Sequence, residues 1–156
     1  MTKRASEYHS ALQSEPPTSD KREKTINEVL KVIPNILTME QNMKLAALTT
    51  QDELKTALKQ AKTGKSPGID GLPYEFYKHM ATIPRDKEKG DPDLLEILTS
   101  VVNDIEINGI DSPDFAKGAM FLLFKKNDPT KIENYRPITL LNTDYKLYTK
   151  TIANKL

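Results

Sequence analysis

The sequence predicts an α+β fold, predominantly helical with one antiparallel β-hairpin, and three observations predict it. Apolar residues recur at three- and four-residue spacing through most of the chain, as in Leu54, Ala57, Leu58 and Ala61, which is the period of a helix with one buried face. Two capping boxes, Thr38-Met39-Glu40-Gln41 and Thr50-Gln51-Asp52-Glu53, mark helix starts. One region breaks the helical period. The apolar, β-prone run Ala119 to Phe124 ends in Lys125 and Lys126, a turn signal follows at Asn127-Asp128-Pro129, and a second extended segment carries Tyr135, Ile138 and Leu140. Two such segments pair as a hairpin.

The first stretch, Thr2 to Gln13, places Ala5, Tyr8 and Leu12 on one side of a short helix that ends at Ser14-Glu15-Pro16-Pro17. Thr18-Ser19-Asp20 then caps a second helix whose stripe, Ile26, Val29, Leu30 and Ile33, stops before Pro34. Nothing reactive clusters on either, so both read as packing helices. The weaker capping box opens a helix through Met43 and Leu45 to Leu48, and the stronger one opens a helix that Gly64 ends. Beyond a mixed-charge connector, Pro84 to Gly90, Asp91 and Pro92 start a helix from Asp93 to Asn108. Leu94, Leu95, Ile97, Leu98, Val101, Val102 and Ile105 give it a broad buried face. Asn142 and Thr143 supply N-cap chemistry for a last helix with Tyr145, Tyr148, Ile152 and Leu156 at helical spacing.

Composition bounds the function. A chain of 156 residues, 37% hydrophobic and 29% charged with ten prolines, has room for one modest core and the character of a soluble, loop-rich protein. No apolar run of membrane-spanning length and no signal peptide is present, so no membrane partner is indicated and the expected placement is intracellular, in nucleus or cytoplasm. With no cysteine and with His9 and His79 isolated, thiol chemistry and a histidine metal cluster are not expected. The formal charge is only +1, but it is polarised: Lys117 to Leu156 holds eight basic residues against three acidic ones. That distribution suits a phosphate chain held at one end of the molecule.

Two segments carry candidate chemistry. Lys65-Ser66-Pro67-Gly68-Ile69-Asp70-Gly71-Leu72-Pro73 combines two glycines, two prolines and an aspartate. It fixes backbone rather than filling a core, with Gly68 and Gly71 open to positive φ and Pro73 placed to begin the next helix. It lacks the Gly-x-x-x-x-Gly-Lys-Ser/Thr spacing of a phosphate loop, and a purely structural turn stands beside the functional reading. On the hairpin, Pro137 lacks an N–H and holds Arg136 extended at a strand start or edge. Lys125, Lys126 and Arg136 then gather near one end, a set suited to polyphosphate or a nucleic-acid backbone. The alternatives are ordinary solvated charges, or an Arg136 paired with Glu133 or Asp144.

Both segments match a known pattern. Lys65 to Leu72 followed by Glu75-Phe76-Tyr77-Lys78, and Asn134-Tyr135-Arg136-Pro137-Ile138-Thr139-Leu140-Leu141-Asn142 followed by Asp144-Tyr145-Lys146 and Ala153-Asn154-Lys155-Leu156, resemble the start of the reverse transcriptase domain of non-LTR (LINE-type) retrotransposons. The motifs stand in the family's order, with a helix of the expected kind between them. The family's lysine at the end of the first strand matches either Lys125 or Lys126.

The resemblance covers about two thirds of the chain. It implies a helical lead-in at residues 1–47 and, at 48–156, part of the fingers domain of a right-hand polymerase, ending before the catalytic palm. It implies nucleotide contacts from Arg136, Lys125 and Lys126, and template contacts from Lys65, Ser66, Pro67, Gly68, Asp70 and Gly71. The partners implied for the parent enzyme are an RNA template or RNA–DNA hybrid and a dNTP, with a separate palm fragment as a further partner or none. The parent's two divalent magnesium ions sit on palm aspartates that have no counterpart here. Asp70, Glu75, Asp128, Glu133 and Asp144 occupy loop, cap or helix positions, so no catalytic residue, metal or cofactor is assigned. The chain is expected to be inactive alone, a nucleic-acid-binding fragment of an RNA-directed DNA polymerase. The competing expectation is a small helical interaction protein derived from a decayed element, with no nucleic-acid role.

Overall fold

A computed structural model describes residues 2–14, 19–32, 37–84, 86 and 90–156. Its elements run α1 (Thr2–Gln13), α2 (Asp20–Val32), α3 (Met39–Ala46), α4 (Gln51–Gln60), α5 (Tyr74–Met80), α6 (Leu94–Asn108), β1 (Gly118–Phe124), β2 (Tyr135–Leu141) and α7 (Thr143–Lys155). The strands form one two-stranded antiparallel sheet, so the expected α+β class with a single hairpin is observed. The residues divide into two compact units, Met1–Asn42 with Leu122–Pro137, and Met43–Phe121 with Ile138–Leu156. None of the described helices is long and apolar enough to cross a membrane.

The larger unit is built on α4. Its capping box is formed as read: Glu53 N donates to Thr50 Oγ1 and Thr50 N donates to Glu53 Oε2. Leu54, Ala57 and Leu58 are almost wholly removed from solvent, and α4 contacts α5, α6 and α7. Tyr77, Leu95, Val102 and Leu147 complete the core. Small Ala57 in the central line lets neighbouring helices approach closely, and the burial of these side chains is the main stabilising term, roughly 1.5–3 kcal/mol for each large one.

Two expected faces differ from the observed ones. Asp93 caps α6, its Oδ1 accepting from Leu95 N and Glu96 N, and Gly109 ends the helix at φ 85°. The buried line of α6 is Leu95, Thr99 and Val102, while Ile97 and Val101 are exposed. The face is therefore narrower than the broad one expected. On α7 the buried line is Thr143, Leu147 and Thr151, not Tyr145, Tyr148, Ile152 and Leu156, and Leu156 is exposed. Threonine can occupy that line because its hydroxyl finds a carbonyl: Thr151 Oγ1 donates to Leu147 O at 2.9 Å and Thr143 Oγ1 to Leu72 O at 2.5 Å. Tyr145 and Tyr148 instead meet the ring of Phe115, with centroids 5.4 and 6.1 Å away.

In the smaller unit α1 buries Ala5 and His9, one turn apart, and leaves Leu12 exposed, which shifts the expected Ala5, Tyr8, Leu12 line. Ser19 opens α2, its Oγ accepting from Arg22 N. None of the described α2 side chains is buried, and Ile26, Val29 and Leu30 are about half exposed. The expectation of a packing helix is corrected: a helical stripe records amphipathicity, not the presence of a neighbour. Thr18, Ile33 and Pro34 lie outside the described residues, as do Glu15 to Pro17 and most of the charged connector after Pro84. The Thr38 capping box forms through Gln41; the helix it opens ends at Ala46, two residues short of Leu48.

Candidate nucleic-acid and nucleotide interface

The register of the hairpin decides which side chains share a face. Phe124 and Tyr135 stand opposite each other with rings 5.4 Å apart, Lys125 N donates to Asn134 O at 2.8 Å, and Gly118 abuts Leu141 at the other end. Side chains alternate across a strand, so Leu123 and Lys125 fall on the face of Arg136, and Leu122 and Phe124 on that of Tyr135 and Pro137. Pro137, the third residue of β2, stands at the outer edge, as its missing N–H requires. Both lysines lie past the end of β1, but Lys125 N still donates to Asn134 O, so the register aligns Lys125, not Lys126, with Arg136.

The connector is held by the motif's own first residues. Asn127 takes φ 73°, and Asp128 Oδ1 accepts from Thr130 N and Thr130 Oγ1. That pair of bonds holds the Asp128 carboxyl below its ordinary pKa. Asn134 Nδ2 donates to Asp128 O at 2.8 Å and the Tyr135 hydroxyl to Pro129 O at 2.9 Å. Asn134 and Tyr135 thus serve the backbone, leaving the cations unengaged. Lys125, Lys126 and Arg136 are exposed, and among the described residues no ion pair or side-chain hydrogen bond involves any of them. By contrast Lys117 is paired with Asp114 at 2.6 Å.

The glycine-rich loop belongs to the larger unit, whereas Arg136 belongs to the smaller one. Helix α4 stops at Gln60 with Ala61 as its C-cap, earlier than the expected stop at Gly64, which lies beyond the cap at φ 69°. Glu75 Oε1 accepts from Gly64 N at 2.5 Å, and Lys78 Nζ donates to Ala61 O at 2.6 Å. The Gly64 amide, ahead of the other contributors, lowers the pKa of Glu75. Gly71 has φ 73°, and Leu72 N donates to Asp70 Oδ1 at 3.0 Å. Gly68 needs no positive φ, but a Cβ there would collide with Asn142. Pro73 is the N-cap of α5 rather than its first helical residue.

Three residues of the β2–α7 junction anchor this loop, and periodicity did not find them. Asn142 Oδ1 accepts from Asp70 N at 3.3 Å, Thr143 Oγ1 donates to Leu72 O at 2.5 Å, and Lys146 Nζ donates to Ser66 O at 2.9 Å. Of the sequence-assigned template residues, Ser66, Gly68 and Asp70 are tied to this junction. Lys65 is exposed and has no side-chain partner among the described residues. Pro67 is half-buried and Gly71 exposed.

Asp70, Glu75, Asp128 and Asp144 each accept a backbone amide. Among the described residues no three His, Asp or Glu converge, so no step through a metal is derived. Asp144 is half-buried; burial and, to a lesser degree, the Asp70 charge raise its pKa. The phenol of Tyr77 is pushed up to about 12 by burial, then by the charges of Asp144 and Asp70.

No protein-family model matches the chain. It is similar to the transposon TX1 uncharacterized 149 kDa protein of Xenopus laevis, at 36% identity over 107 residues, 69% of this chain and 7% of that protein. The chain therefore spans a small part of the length of the curated relative it matches. Taken with the two ordered motifs, that similarity supports an origin in a LINE-type retrotransposon.

Proposed function

We propose that the chain is the nucleic-acid- and nucleotide-contacting fingers portion of an RNA-directed DNA polymerase of a LINE-type retrotransposon, and that it binds without catalysing. The observation that carries this reading is that Arg136 and Lys125 share one face of the hairpin tip, both exposed and both without a side-chain partner among the described residues. A forked guanidinium and a point ammonium that the fold itself leaves unused are suited to phosphate oxygens. Arg136 and Lys125 take the triphosphate of a dNTP, and the loop from Lys65 to Gly71 meets the template. The family resemblance of the motifs supports both roles.

A second reading, a helical interaction protein, draws on the exposed Ile26, Val29 and Leu30 of α2. One titration separates the two. The purified chain is mixed with an RNA–DNA hybrid at a series of salt concentrations. Phosphate contacts make log affinity fall linearly with log salt, by roughly 0.7–0.9 per contact. The polymerase reading expects that slope; affinity independent of salt, or no binding in low salt, favours the interaction protein.

A further inference from the structure

We propose that Asn142 is a positioning residue for the loop Ser66 to Leu72, and that the loop and the β2–α7 junction behave as one body. Asn142 occupies the N-cap position of α7 with extended backbone, φ −62° and ψ 152°, yet its side chain makes no capping bond. Asparagine at that position ordinarily accepts from the second or third amide of the helix. Here Oδ1 turns the other way, to Asp70 N at 3.3 Å. The Gly68 backbone approaches Asn142 so closely that only glycine fits.

Two residues of the first turn of α7 follow the same pattern. Thr143, 1% exposed, and Lys146 direct their polar atoms to Leu72 O and Ser66 O. Three side chains from the first turn of α7 and its cap thus hold three successive points of the loop. The loop's remaining bonds, Gly71 N to Gly68 O at 3.3 Å and Leu72 N to Asp70 Oδ1 at 3.0 Å, are internal. They shape it without placing it. Placement comes from the junction, so a shift of the β2–α7 corner carries the loop with it. If the loop contacts template as proposed above, Asn142 acts on template binding through Gly68 and Asp70 while touching no nucleic acid. That functional part rests on the proposed function; the positioning itself does not.

Amide hydrogen exchange, resolved by residue, tests the positioning on the full chain. In Asn142→Ala the amides of Gly68 to Leu72 should exchange faster by about fivefold, the loss of one modest hydrogen bond, while those of Asp144 and Tyr145 stay unchanged. Asn142→Asp keeps the acceptor and should restore loop protection. Faster exchange at Asp144 and Tyr145 with an unchanged loop would make Asn142 an ordinary cap and overturn the proposal, as would no change at either place. For the functional part, the RNA–DNA hybrid is the probe. Asn142→Ala should weaken binding severalfold with the salt slope intact, since no phosphate contact is lost; unchanged affinity would overturn the coupling to template. Absence of hybrid binding by the unsubstituted chain would instead overturn the functional reading, and the exchange pattern alone would then decide the role of Asn142.

Discussion

Lys155 Nζ and Glu106 Oε1 stand 3.8 Å apart, with the lysine side chain only 7% exposed and the glutamate 18%. The ammonium also donates to Ala47 O at 2.8 Å. Glu106 Oε1 accepts from Thr49 Oγ1 at 2.8 Å, and Thr49 exchanges two bonds with Asn103, N to Oδ1 and O from Nδ2. This network fixes the segment before α4 to α6 and α7. Removing one member leaves a largely desolvated charge without its partner, which costs more than the pair itself contributes. Lys155→Met, which keeps the aliphatic stem, should therefore destabilise the chain by on the order of 3 kcal/mol. Urea unfolding checks it, and a loss comparable to that of an exposed lysine would show the network to be incidental.

Two glycines of the loop are predicted to resist substitution for different reasons. Gly71→Ala places a side chain at φ 73°, where L residues lose about 1–2 kcal/mol. Gly68→Ala meets the backbone and side chain of Asn142, so the loop must detach, at about 1–3 kcal/mol. Ile69→Val, at a position 62% exposed, should stay within about 0.5 kcal/mol. Melting temperatures of the three variants, measured together, settle the order, and equal tolerance at Gly68 and Ile69 would contradict the observed interlock.

The Tyr77 phenol gives a pH prediction. Its folded pKa is raised to about 12 from an ordinary value of 10, so the folded state keeps a proton that the unfolded state releases. Stability from this group is thus whole below pH 10 and is lost as pH rises toward 12. Tyr74 and Tyr148 are raised by burial as well and add to the same alkaline limb. The difference between the unsubstituted chain and Tyr77→Phe isolates the one group. Stability of the variant, followed by urea unfolding between pH 9 and 11, should decline less steeply; parallel curves would mean the phenol is not desolvated as the structure places it.

What could be read from the sequence divides along physical lines. Capping boxes and apolar spacing are local, and Thr50 with Glu53, Gly109 and the Leu54 to Ala61 line stand where they were expected. Which face a helix buries depends on neighbours. That is why Thr143 and Thr151 displaced the tyrosines on α7, and why the α2 stripe is left exposed. Within the candidate site, the extended backbone of Arg136 before Pro137 is a chain-local signal and was legible. Which lysine shares the face of Arg136 required the strand register. Asn142 was misread because its residue type fits a cap, and only the close approach of Gly68, more than seventy residues earlier, gives its side chain another use.

The Arg136 assignment yields the sharpest test. Its guanidinium is exposed, unpaired among the described residues and held on extended backbone by Pro137, so binding loses little conformational freedom and no internal bond. In a titration with a dNTP over a series of salt concentrations, Arg136→Ala should lower the salt slope and weaken binding by roughly 1.5–3 kcal/mol, the range for a charged hydrogen bond. Arg136→Lys keeps the charge but loses the fork, so it should retain the slope and recover only part of the affinity. Lys125→Ala, on the same face, should behave like Arg136→Ala at smaller amplitude, and Lys126→Ala should do less than either. All three side chains are exposed, so the melting temperatures of the four variants should stay together. If instead Arg136→Ala lowers the melting temperature while affinity and slope stay fixed, the arginine supports the hairpin and contacts no phosphate.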